Sequence, residues 1–387
     1  MNPTTLTETD AELSGIPIIR VRGSALERGA QYGEQARKRI HRSRDAYERV
    51  YAHFATWNWD RVRTEAEAFV RPIEEFRSAY LDEMRGIAQG SGLDFLDVLA
   101  LNLRTEILFA AKARQSGAQL PTVGECTTFS DVIDSQRVLG QNWDWIPFAA
   151  DTIVLVEAVP DDGPAWMTVV EAGLLAKFGM NSAGIAIVTN ALVTSLDHGA
   201  PGVPYHVMLR ALLDCTTPAQ LATVLQARPR SSSANYMMAT ADGLAMNAET
   251  RPGGFEQMTW TGPDASGMLL HANHLSECSP LPPGVSDVGI MAIPDTLFRL
   301  QRARMLAGAG RDASRSVDDW KTLLADHAGF PDSLCCHSDP SKPELDQGQT
   351  VASVIFEPAS RRASISVGTP CSSEWIERDY SAMPGWA

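Results

Sequence analysis

Residues 124–130 read Gly-Glu-Cys-Thr-Thr-Phe-Ser, and residues 141–145 read Gln-Asn-Trp-Asp-Trp. An apolar, β-type run begins at Cys126, and a short polar turn separates it from a second run that ends at Asp144 between two tryptophans. Two such runs joined by a polar turn are typical of a β-hairpin. This hairpin would bring a carboxylate, Asp144, back beside the thiol of Cys126.

The chemistry that Cys126 indicates is nucleophilic. A thiol reacts as its thiolate, so it needs a base or a positive neighbour. A papain-like peptidase would supply a histidine, but its Cys-Gly-Ser-Cys-Trp context is absent here. The other solution is a cysteine that becomes the first residue of its chain, because its own α-amine, with a pKa of about 7.7–8.0, then serves as the base. For an arbitrary cysteine, a buried and inert thiol is the simpler explanation.

Several motifs follow one another along the chain: Cys-Thr-Thr-Phe (126–129), Gly-Gln-Asn-Trp-Asp-Trp (140–145), Gly-Met-Asn-Ser-Ala-Gly-Ile (179–185), Ser-Ala-Asn-Tyr (233–236) with Asp-Gly (242–243), His-Ala-Asn-His (271–274), Asp-Thr-Leu-Phe-Arg (295–299) and Ser-Leu-Cys (333–335). Their order and spacing resemble the acyl-coenzyme A:6-aminopenicillanic acid acyltransferase (isopenicillin N acyltransferase-like) family, from about Arg20 to about Tyr380. Members of that family are N-terminal nucleophile (Ntn) hydrolases, made as one precursor that cuts itself before the cysteine. This chain has Glu125 where the penicillin-pathway members have glycine.

The resemblance implies an α+β fold, the four-layer αββα sandwich of the Ntn-hydrolase type, with a helical N-terminal region. We expect residues 1–125 to form a mostly helical segment, which becomes the alpha chain after self-cleavage, and residues 126–387 to form the catalytic core, or beta chain. Capping signals predict helices that begin at Ser24 and at Asp94, and a helical pattern also covers residues 65–88.

Beyond the cysteine the pattern changes to mixed strands and helices. Strand-like runs cover residues 126–133, 138–143, 152–158, 165–171, 185–191, 236–240, 244–248, 268–271, 351–356 and 363–367. Helical patterns cover residues 203–214, 217–226, 295–307 and 317–326.

The resemblance assigns the nucleophile to Cys126. Its sulfur would attack the carbonyl of Glu125, and water would then release the N-terminal segment and free the amine of Cys126. Asp144 follows the cysteine by 18 residues, as in the family, and would hold that amine or position water. Trp143 and Trp145, which flank Asp144, are candidates for the substrate pocket.

Acyl transfer builds negative charge on an oxygen, and one donor to that oxyanion is worth about 3–4 kcal/mol. Asn235 is the first candidate, since it precedes a strand-like run and the family's oxyanion asparagine falls there. Asn190 is the alternative candidate, with turn capping as an equal explanation. Arg299 is expected near the nucleophile, where it would lower the thiol pKa or bind a substrate carboxylate. A local ion pair with Asp295 is the simpler explanation for this arginine.

His271 and His274 are further candidates for the substrate pocket. Their spacing, and the run Cys-Cys-His at residues 335–337, are also compatible with zinc ligands. Neither cluster has a third cysteine or carboxylate at a suitable spacing, and the resembled family uses no metal. We therefore expect no metal and no cofactor. Neither a Walker A motif nor a dinucleotide-binding glycine motif is present in the sequence.

Composition restricts the partners. A net charge of −14 disfavours nucleic acid and anionic membranes. The sequence contains no run of 18 apolar residues, and its N-terminus lacks a signal-peptide pattern, so we expect a cytoplasmic protein. The six cysteines follow no framework and are expected to be free thiols.

Two functions remain open at this point. The first is a self-processing amidase or acyltransferase that acts on a small-molecule amide, with an acyl-CoA donor as one option. It would be an alpha/beta heterodimer from one precursor, and a higher homo-oligomer is left open. The second is an unprocessed, non-catalytic ligand-binding member, in which Glu125 blocks cleavage. A papain-like peptidase that uses His271 or His274 fits the spacing poorly.

Overall fold

The computed structural model describes residues 12–13, 15–114, 126–226, 229–308 and 315–386 of the 387-residue chain. The expected cleavage site, between Glu125 and Cys126, therefore borders the described part of the chain, and Glu125 itself lies outside it.

The helices of the described residues are α1 (Ala25–Gln35), α2 (Arg37–Ala55), α3 (Trp59–Glu67), α4 (Val70–Arg77), α5 (Ala79–Ser91), α6 (Phe95–Asn102), α7 (Arg104–Arg114), α8 (Tyr205–Leu213), α9 (Pro218–Gln226), α10 (Gly289–Ala292), α11 (Thr296–Gly308) and α12 (Val317–Leu324). The strands are β1 (Glu12–Leu13), β2 (Ile16–Gly23), β3 (Cys126–Ile133), β4 (Gln136–Trp145), β5 (Ile153–Pro160), β6 (Trp166–Glu171), β7 (Phe178–Asn181), β8 (Ile185–Ala191), β9 (Ala234–Thr240), β10 (Ala245–Thr250), β11 (Met258–Thr261), β12 (Leu269–His271), β13 (Gln349–Glu357), β14 (Arg362–Val367) and β15 (Ile376–Asp379).

The strands form two sheets. One has the order β1-β2-β5-β6-β7-β8-β9-β10-β11, and the other has the order β12-β3-β4-β13-β14-β15. Strands β3 and β4 pack against β8 and β9 of the first sheet, while α1 and α8 cover that sheet and α11 contacts β12 of the second. Phe129 of β3 stacks on Trp320 of α12, with ring centroids 3.6 Å apart. The order is therefore helix, sheet, sheet, helix, which confirms the expected αββα layers.

The first segment of the chain is helical, as predicted, but its helices are shorter. Capping boxes at Ser24 and Asp94 begin α1 and α6, as the sequence predicts. The helix that begins after Ser24 ends at Ala36, where α2 follows it directly. The pattern over residues 65–88 forms parts of α3, α4 and α5. Pro72 accounts for one of these breaks. Proline is tolerated only in the first turn of a helix, so α4 starts two residues before it.

The first segment is also joined to the rest of the fold. Strand β2 pairs in parallel with β5, so a strand that precedes the expected cut lies inside the larger sheet. Arg104 of α7 forms a fully buried ion pair with Glu171 of β6, with Nη2 and Oε2 2.7 Å apart. Tyr47 of α2 donates to the same carboxylate at 2.7 Å. These contacts would hold the two pieces together after a cut.

All ten strands predicted after Cys126 are present, as are the four helices predicted there. The sequence did not predict β1, β2, β7, β11 or β15. These strands are short, lie near an edge of a sheet or, in β2, contain Pro17. Within the described residues, the helices are all too short or too polar to cross a membrane.

Candidate active site

The β3–β4 hairpin sets the position of the cysteine. Asp134 and Ser135 both have positive φ, 48° and 65°, which is the backbone of a tight type I′ turn. The register that follows pairs Cys126 with Trp143. Asp144 is the next residue along β4, and its backbone N–H and its charge both influence the pKa of the Cys126 thiol.

The backbone of Cys126 is held on both sides. Its N–H donates to Asn273 Oδ1 at 2.6 Å. Its carbonyl oxygen accepts from Asn190 Nδ2 at 3.1 Å and from Arg299 Nη1 at 3.1 Å. Arg299 Nη2 also donates to Asn273 Oδ1 at 3.1 Å, which ties the two sides of this clamp together. The cysteine is therefore fixed by three side chains that come from β8, from α11 and from the loop after β12.

Arg299 satisfies both of the explanations that its sequence position suggests. Its Nε donates to Asp295 Oδ2 at 2.8 Å, which is the local ion pair. Its Nη1 donates to the carbonyl of Cys126 and to the hydroxyl of Thr127, the latter at 3.2 Å, and its Nη2 donates to the side chain of Asn273. Asp295 thus orients a buried guanidinium whose other face contacts the cysteine.

Asp144 is a buried carboxyl with one unmatched oxygen. Its Oδ1 accepts from Thr350 Oγ1 at 2.5 Å, and its Oδ2 has no hydrogen-bond partner among the described residues. Burial raises the pKa of Asp144 to about 7, although the positive charge of Arg299 and the bond from Thr350 oppose the shift. A second donor placed beside Oδ2 would favour the ionised form.

Asn235 and Asn190 occupy different positions relative to the cysteine. The two residues pair directly across β8 and β9. Asn235 Nδ2 donates to Asn190 Oδ1 at 2.9 Å, and Thr128 Oγ1 donates to the same oxygen at 2.8 Å. Asn190 Nδ2 then donates to Cys126, so Asn235 reaches the cysteine only through Asn190. The geometry places Asn190 beside the cysteine and Asn235 behind it.

A pocket of about 720 Å³, including its open mouth, lies over the cysteine. The described residues that line it are Arg104, Thr105, Leu108, Phe109, Cys126, Trp143, Trp145, Lys177, Ala191, Val193, Tyr205, Asn273, Gly289, Ala292 and Ile293. Both tryptophans expected at a substrate pocket are in this lining. Four lining residues belong to α7, so the segment before the expected cut forms one wall.

His271 and His274 lie outside that lining. His271 Nε2 lies 2.6 Å from Glu249 Oε1, and His274 Nδ1 lies 2.9 Å from Thr296 Oγ1. Burial lowers the pKa of His274 to about 4, so its ring is neutral near pH 7. Thr296 Oγ1 also accepts from the backbone N–H of Asn273, at 2.7 Å. The two histidines therefore border the clamp around Cys126 and support it from behind.

Lys177 is a site residue that sequence reasoning missed. It is buried, and its Nζ lies 5.0 Å from the ring centroids of both Trp143 and Tyr205. Burial lowers the pKa of Lys177 to about 8. Burial raises the pKa of the Cys126 thiol, and the charge of Lys177 is the largest influence that opposes this rise. One signal was available, since Lys177 is the only charged residue in the run from 172 to 181.

Asn273 was also missed as a functional residue, although it stands in the His-Ala-Asn-His motif. It both lines the pocket and binds the nitrogen of Cys126. Its Nδ2 donates to the carbonyl of Ala191 at 3.0 Å, which anchors the amide plane to the end of β8.

The comparison with known families gives a clear match. The model of the family described as acyl-coenzyme A:6-aminopenicillanic acid acyl-transferase matches residues 133–372, which is 240 residues (372 − 133 + 1) and more than half of the chain. The chain belongs to this family. The match to the acyl-transferase family includes Asp144, Asn190, Asn273 and Arg299, and it begins after Cys126. The family match therefore does not cover Cys126, and the choice of Cys126 as the candidate nucleophile depends on the hairpin register and on the clamp.

One curated relative extends over nearly the whole chain. The acyl-coenzyme A:6-aminopenicillanic-acid-acyltransferase 40 kDa form of Emericella nidulans is 25% identical over 358 residues, which cover 91% of this chain and 92% of the relative. Among solved structures, a mutant of the conjugated bile acid hydrolase from Clostridium perfringens has a TM-score of 0.46 at 11% identity, covering 68% of this chain and 94% of that one. Penicillin V acylase from Agrobacterium tumefaciens has a TM-score of 0.40 at 14% identity, covering 67% of this chain and 88% of that one.

Proposed function

We propose that this acyl-transferase family chain is a self-processing hydrolase, in which Cys126 becomes the N-terminal residue and accepts the acyl group of a small-molecule amide as a thioester. The observation that carries the proposal is the clamp on Cys126. Three side chains hold its N–H and its carbonyl, and the residue lines a pocket with two tryptophans and a buried lysine. Any buried backbone needs hydrogen-bond partners, but here side chains from three separate elements supply them around a cysteine that lines a pocket.

The first reaction is self-cleavage. The Cys126 sulfur attacks the carbonyl carbon of Glu125, the bond from that carbon to the Cys126 nitrogen breaks, and the nitrogen takes up a proton to become an amine. Water then hydrolyses the thioester and regenerates the thiol. The charge of Lys177 opposes the rise in the thiol pKa that burial causes, so it would favour the attacking thiolate.

After cleavage, the α-amine of Cys126 takes the place of the amide nitrogen. Asn273 Oδ1, which lies 2.6 Å from that nitrogen, would accept one of its hydrogens. The carboxyl of Asp144 affects the pKa of the neighbouring thiol and keeps one oxygen without a partner. We infer that Asp144 loses its proton to solvent when an ammonium lies nearby, because a positive neighbour lowers the pKa of a carboxyl. The neutral α-amine serves as the base that takes the proton of the thiol, and the carboxylate of Asp144 stabilises the ammonium that results.

Turnover needs a donor for the oxyanion of the substrate. Asn273 and Asn190 are better placed than Asn235 for this role, because each contacts Cys126 directly, whereas Asn235 contacts Asn190. Asn273 is the better of the two, since it also lines the pocket. Its Oδ1 accepts from Cys126, so the donor to the oxyanion would be Nδ2, which also donates to Ala191. Asn235 would then be a positioning residue that fixes the Asn190 amide.

The acyl acceptor decides between hydrolysis and transfer. Both reactions pass through the same Cys126 thioester, which water or an amine can attack. The lining of the pocket is mainly apolar, and it contains Lys177 and Arg104, whose charge is paired with that of Glu171. This composition suits an amide that carries an apolar acyl group. The name of the Emericella relative makes an acyl-CoA donor one of the substrates to test.

A trapping experiment tests the proposed thioester. The purified protein would be mixed with a panel of N-acyl amines and with acyl-CoA, quenched in acid, digested and analysed by mass spectrometry. We expect the acyl mass on the peptide that contains Cys126 and release of the free amine. Cys215→Ala is the matched control, because Cys215 is a second buried thiol that lies outside the pocket. Turnover that leaves no acyl group at Cys126, or that persists in Cys126→Ala, contradicts the proposal.

The alternative is a ligand-binding member that remains uncut, and the single observation in its favour is Glu125 in place of glycine. An uncut protein would bind members of the same panel, and it would give neither a free amine nor an acylated cysteine.

A further inference from the structure

Two loops at one end of the six-stranded sheet bring together four metal-ligating side chains. His327, Cys335 and His337 lie between α12 and β13, and Cys371 lies between β14 and β15. Their ligand atoms all lie within 4.8 Å of one another. We propose that these four residues, here called the Cys2His2 cluster, bind a structural zinc ion.

The three distances from His337 Nε2 agree with a tetrahedral ion. The Nε2 atoms of His327 and His337 are 3.1 Å apart. His337 Nε2 lies 3.4 Å from Cys335 Sγ and 3.5 Å from Cys371 Sγ. With zinc bonds of about 2.0–2.1 Å to nitrogen and about 2.3 Å to sulfur, tetrahedral angles separate two nitrogens by about 3.3 Å and a nitrogen from a sulfur by about 3.5 Å. The three separations from His337 Nε2 differ from these values by a few tenths of an ångström at most, and the other three are no longer than 4.8 Å.

Hydrogen bonds alone satisfy this cluster poorly. His337 Nε2 faces the other imidazole nitrogen and two sulfur atoms, yet a ring nitrogen has one hydrogen or one lone pair to offer. A cation at the centre would be bound by a lone pair of each ligand atom. Two thiolates and two neutral imidazoles form a common ligand set of structural zinc sites.

The cluster could neutralise the charge of a zinc ion, and the ion could reach it from the solvent. Cys335 and Cys371 would each release a proton, and the two thiolates would neutralise the charge of Zn²⁺. Cys335 is buried, whereas Cys371 and His327 are exposed, so the ion could enter from the surface.

The cluster is linked to the candidate active site through a short path. Cys336, between two of the ligands, donates its N–H to Thr350 Oγ1 at 2.9 Å and accepts the N–H of Thr350 at 3.0 Å. The same hydroxyl of Thr350 donates to Asp144. A bound ion would therefore fix the loop that positions Thr350 and, through it, the buried carboxyl.

Metal analysis of the full-length protein, purified without chelators, tests the proposal. We expect one zinc ion per chain after gel filtration, and the same content in Cys278→Ser, which removes an exposed thiol outside the cluster. Cys371→Ser and His327→Ala change exposed ligands and should lose the ion while keeping a wild-type circular dichroism spectrum. Cobalt exchanged into the wild-type protein should give the visible bands of a tetrahedral ion and a thiolate-to-cobalt absorption, both lost in Cys371→Ser.

Two results would overturn the proposal. One is a zinc content that does not depend on the cluster: a folded wild-type protein that binds no zinc even after incubation with free Zn²⁺ under reducing conditions, or a Cys371→Ser variant that binds as much zinc as the wild type. The other is a mass lower by two hydrogens with a peptide that joins Cys335 to Cys371, since this would identify the pair as a disulfide. Because the readout is bound metal, neither result depends on whether the protein cleaves itself.

Discussion

Replacement of Asp144 by asparagine should change how the stability of the uncut protein depends on pH. The substitution is best made in a Cys126→Ala background, so that every molecule remains uncut. Asparagine retains the oxygen that accepts from Thr350 and places an uncharged group where the unmatched Oδ2 lies. Burial raises the pKa of the Cys126 thiol, so the thiol is uncharged between about pH 5 and about pH 7 and its replacement removes no charge near Asp144.

The magnitude follows from the pKa of Asp144, which folding raises from 3.8 to about 7. A group whose pKa is raised by folding stabilises the folded state below its unfolded pKa, and this contribution is lost as the pH rises through the folded pKa. Each unit of pKa corresponds to 1.36 kcal/mol, so the full loss is about 4 kcal/mol, of which about 2.5 kcal/mol falls between about pH 5 and about pH 7. The asparagine variant lacks this loss.

Urea unfolding of both proteins at several pH values measures the effect. We expect the free energy of unfolding of Cys126→Ala to fall relative to Cys126→Ala/Asp144→Asn by about 2.5 kcal/mol between about pH 5 and about pH 7, and the difference to level off above about pH 8. All other titrating groups are common to the two proteins and cancel in the difference. Parallel curves across this range would refute a neutral, buried Asp144 in the uncut chain.

Three further predictions concern the clamp and the pocket. Lys177→Met should slow self-cleavage about tenfold near pH 7, if the lost charge raises the thiol pKa by about one unit; the rate of fragment appearance on a denaturing gel measures this. In the wild type the same rate should stop rising above about pH 8, where Lys177 loses its proton, while Lys177→Met should show no such limit. Asn273→Ala should lower kcat by about a hundredfold to a thousandfold, and Asn235→Ala, which acts through Asn190, by clearly less; equal losses, with thermal midpoints unchanged, would contradict the assigned positions.

The hairpin and the layers could be predicted from the sequence because their signals are local. The polar turn at Asp134 and Ser135 separates two apolar runs, and its length alone sets the register that brings Asp144 to Cys126. The capping boxes at Ser24 and Asp94 are equally local. Helix ends were less predictable, because a break such as that at Ala36 depends on packing against other helices.

Tertiary contacts bring Lys177, Asn273 and the proposed zinc ligands to their sites, and the spacing of these residues along the sequence does not predict such contacts. Lys177 lies 51 residues after Cys126, directly before β7 of the other sheet. His327 precedes Cys335 by eight residues and Cys371 follows it by 36, so the sequence around Cys335 predicts no complete ligand set. The ordering of Asn190 in front of Asn235 follows from strand pairing between β8 and β9. Residue type alone does not distinguish the two amides.

The central claim, that Cys126 becomes an N-terminal nucleophile, is tested most directly by the covalent structure of an active preparation. Intact mass spectrometry with N-terminal sequencing should find two chains of 125 and 262 residues (387 − 125 = 262), and the longer one should begin with Cys126 and a free α-amine. The two should co-elute in gel filtration, because β2 and the Arg104–Glu171 ion pair join them. An active preparation that contains only the uncut 387-residue chain, or a longer fragment that begins at another residue, would contradict the account.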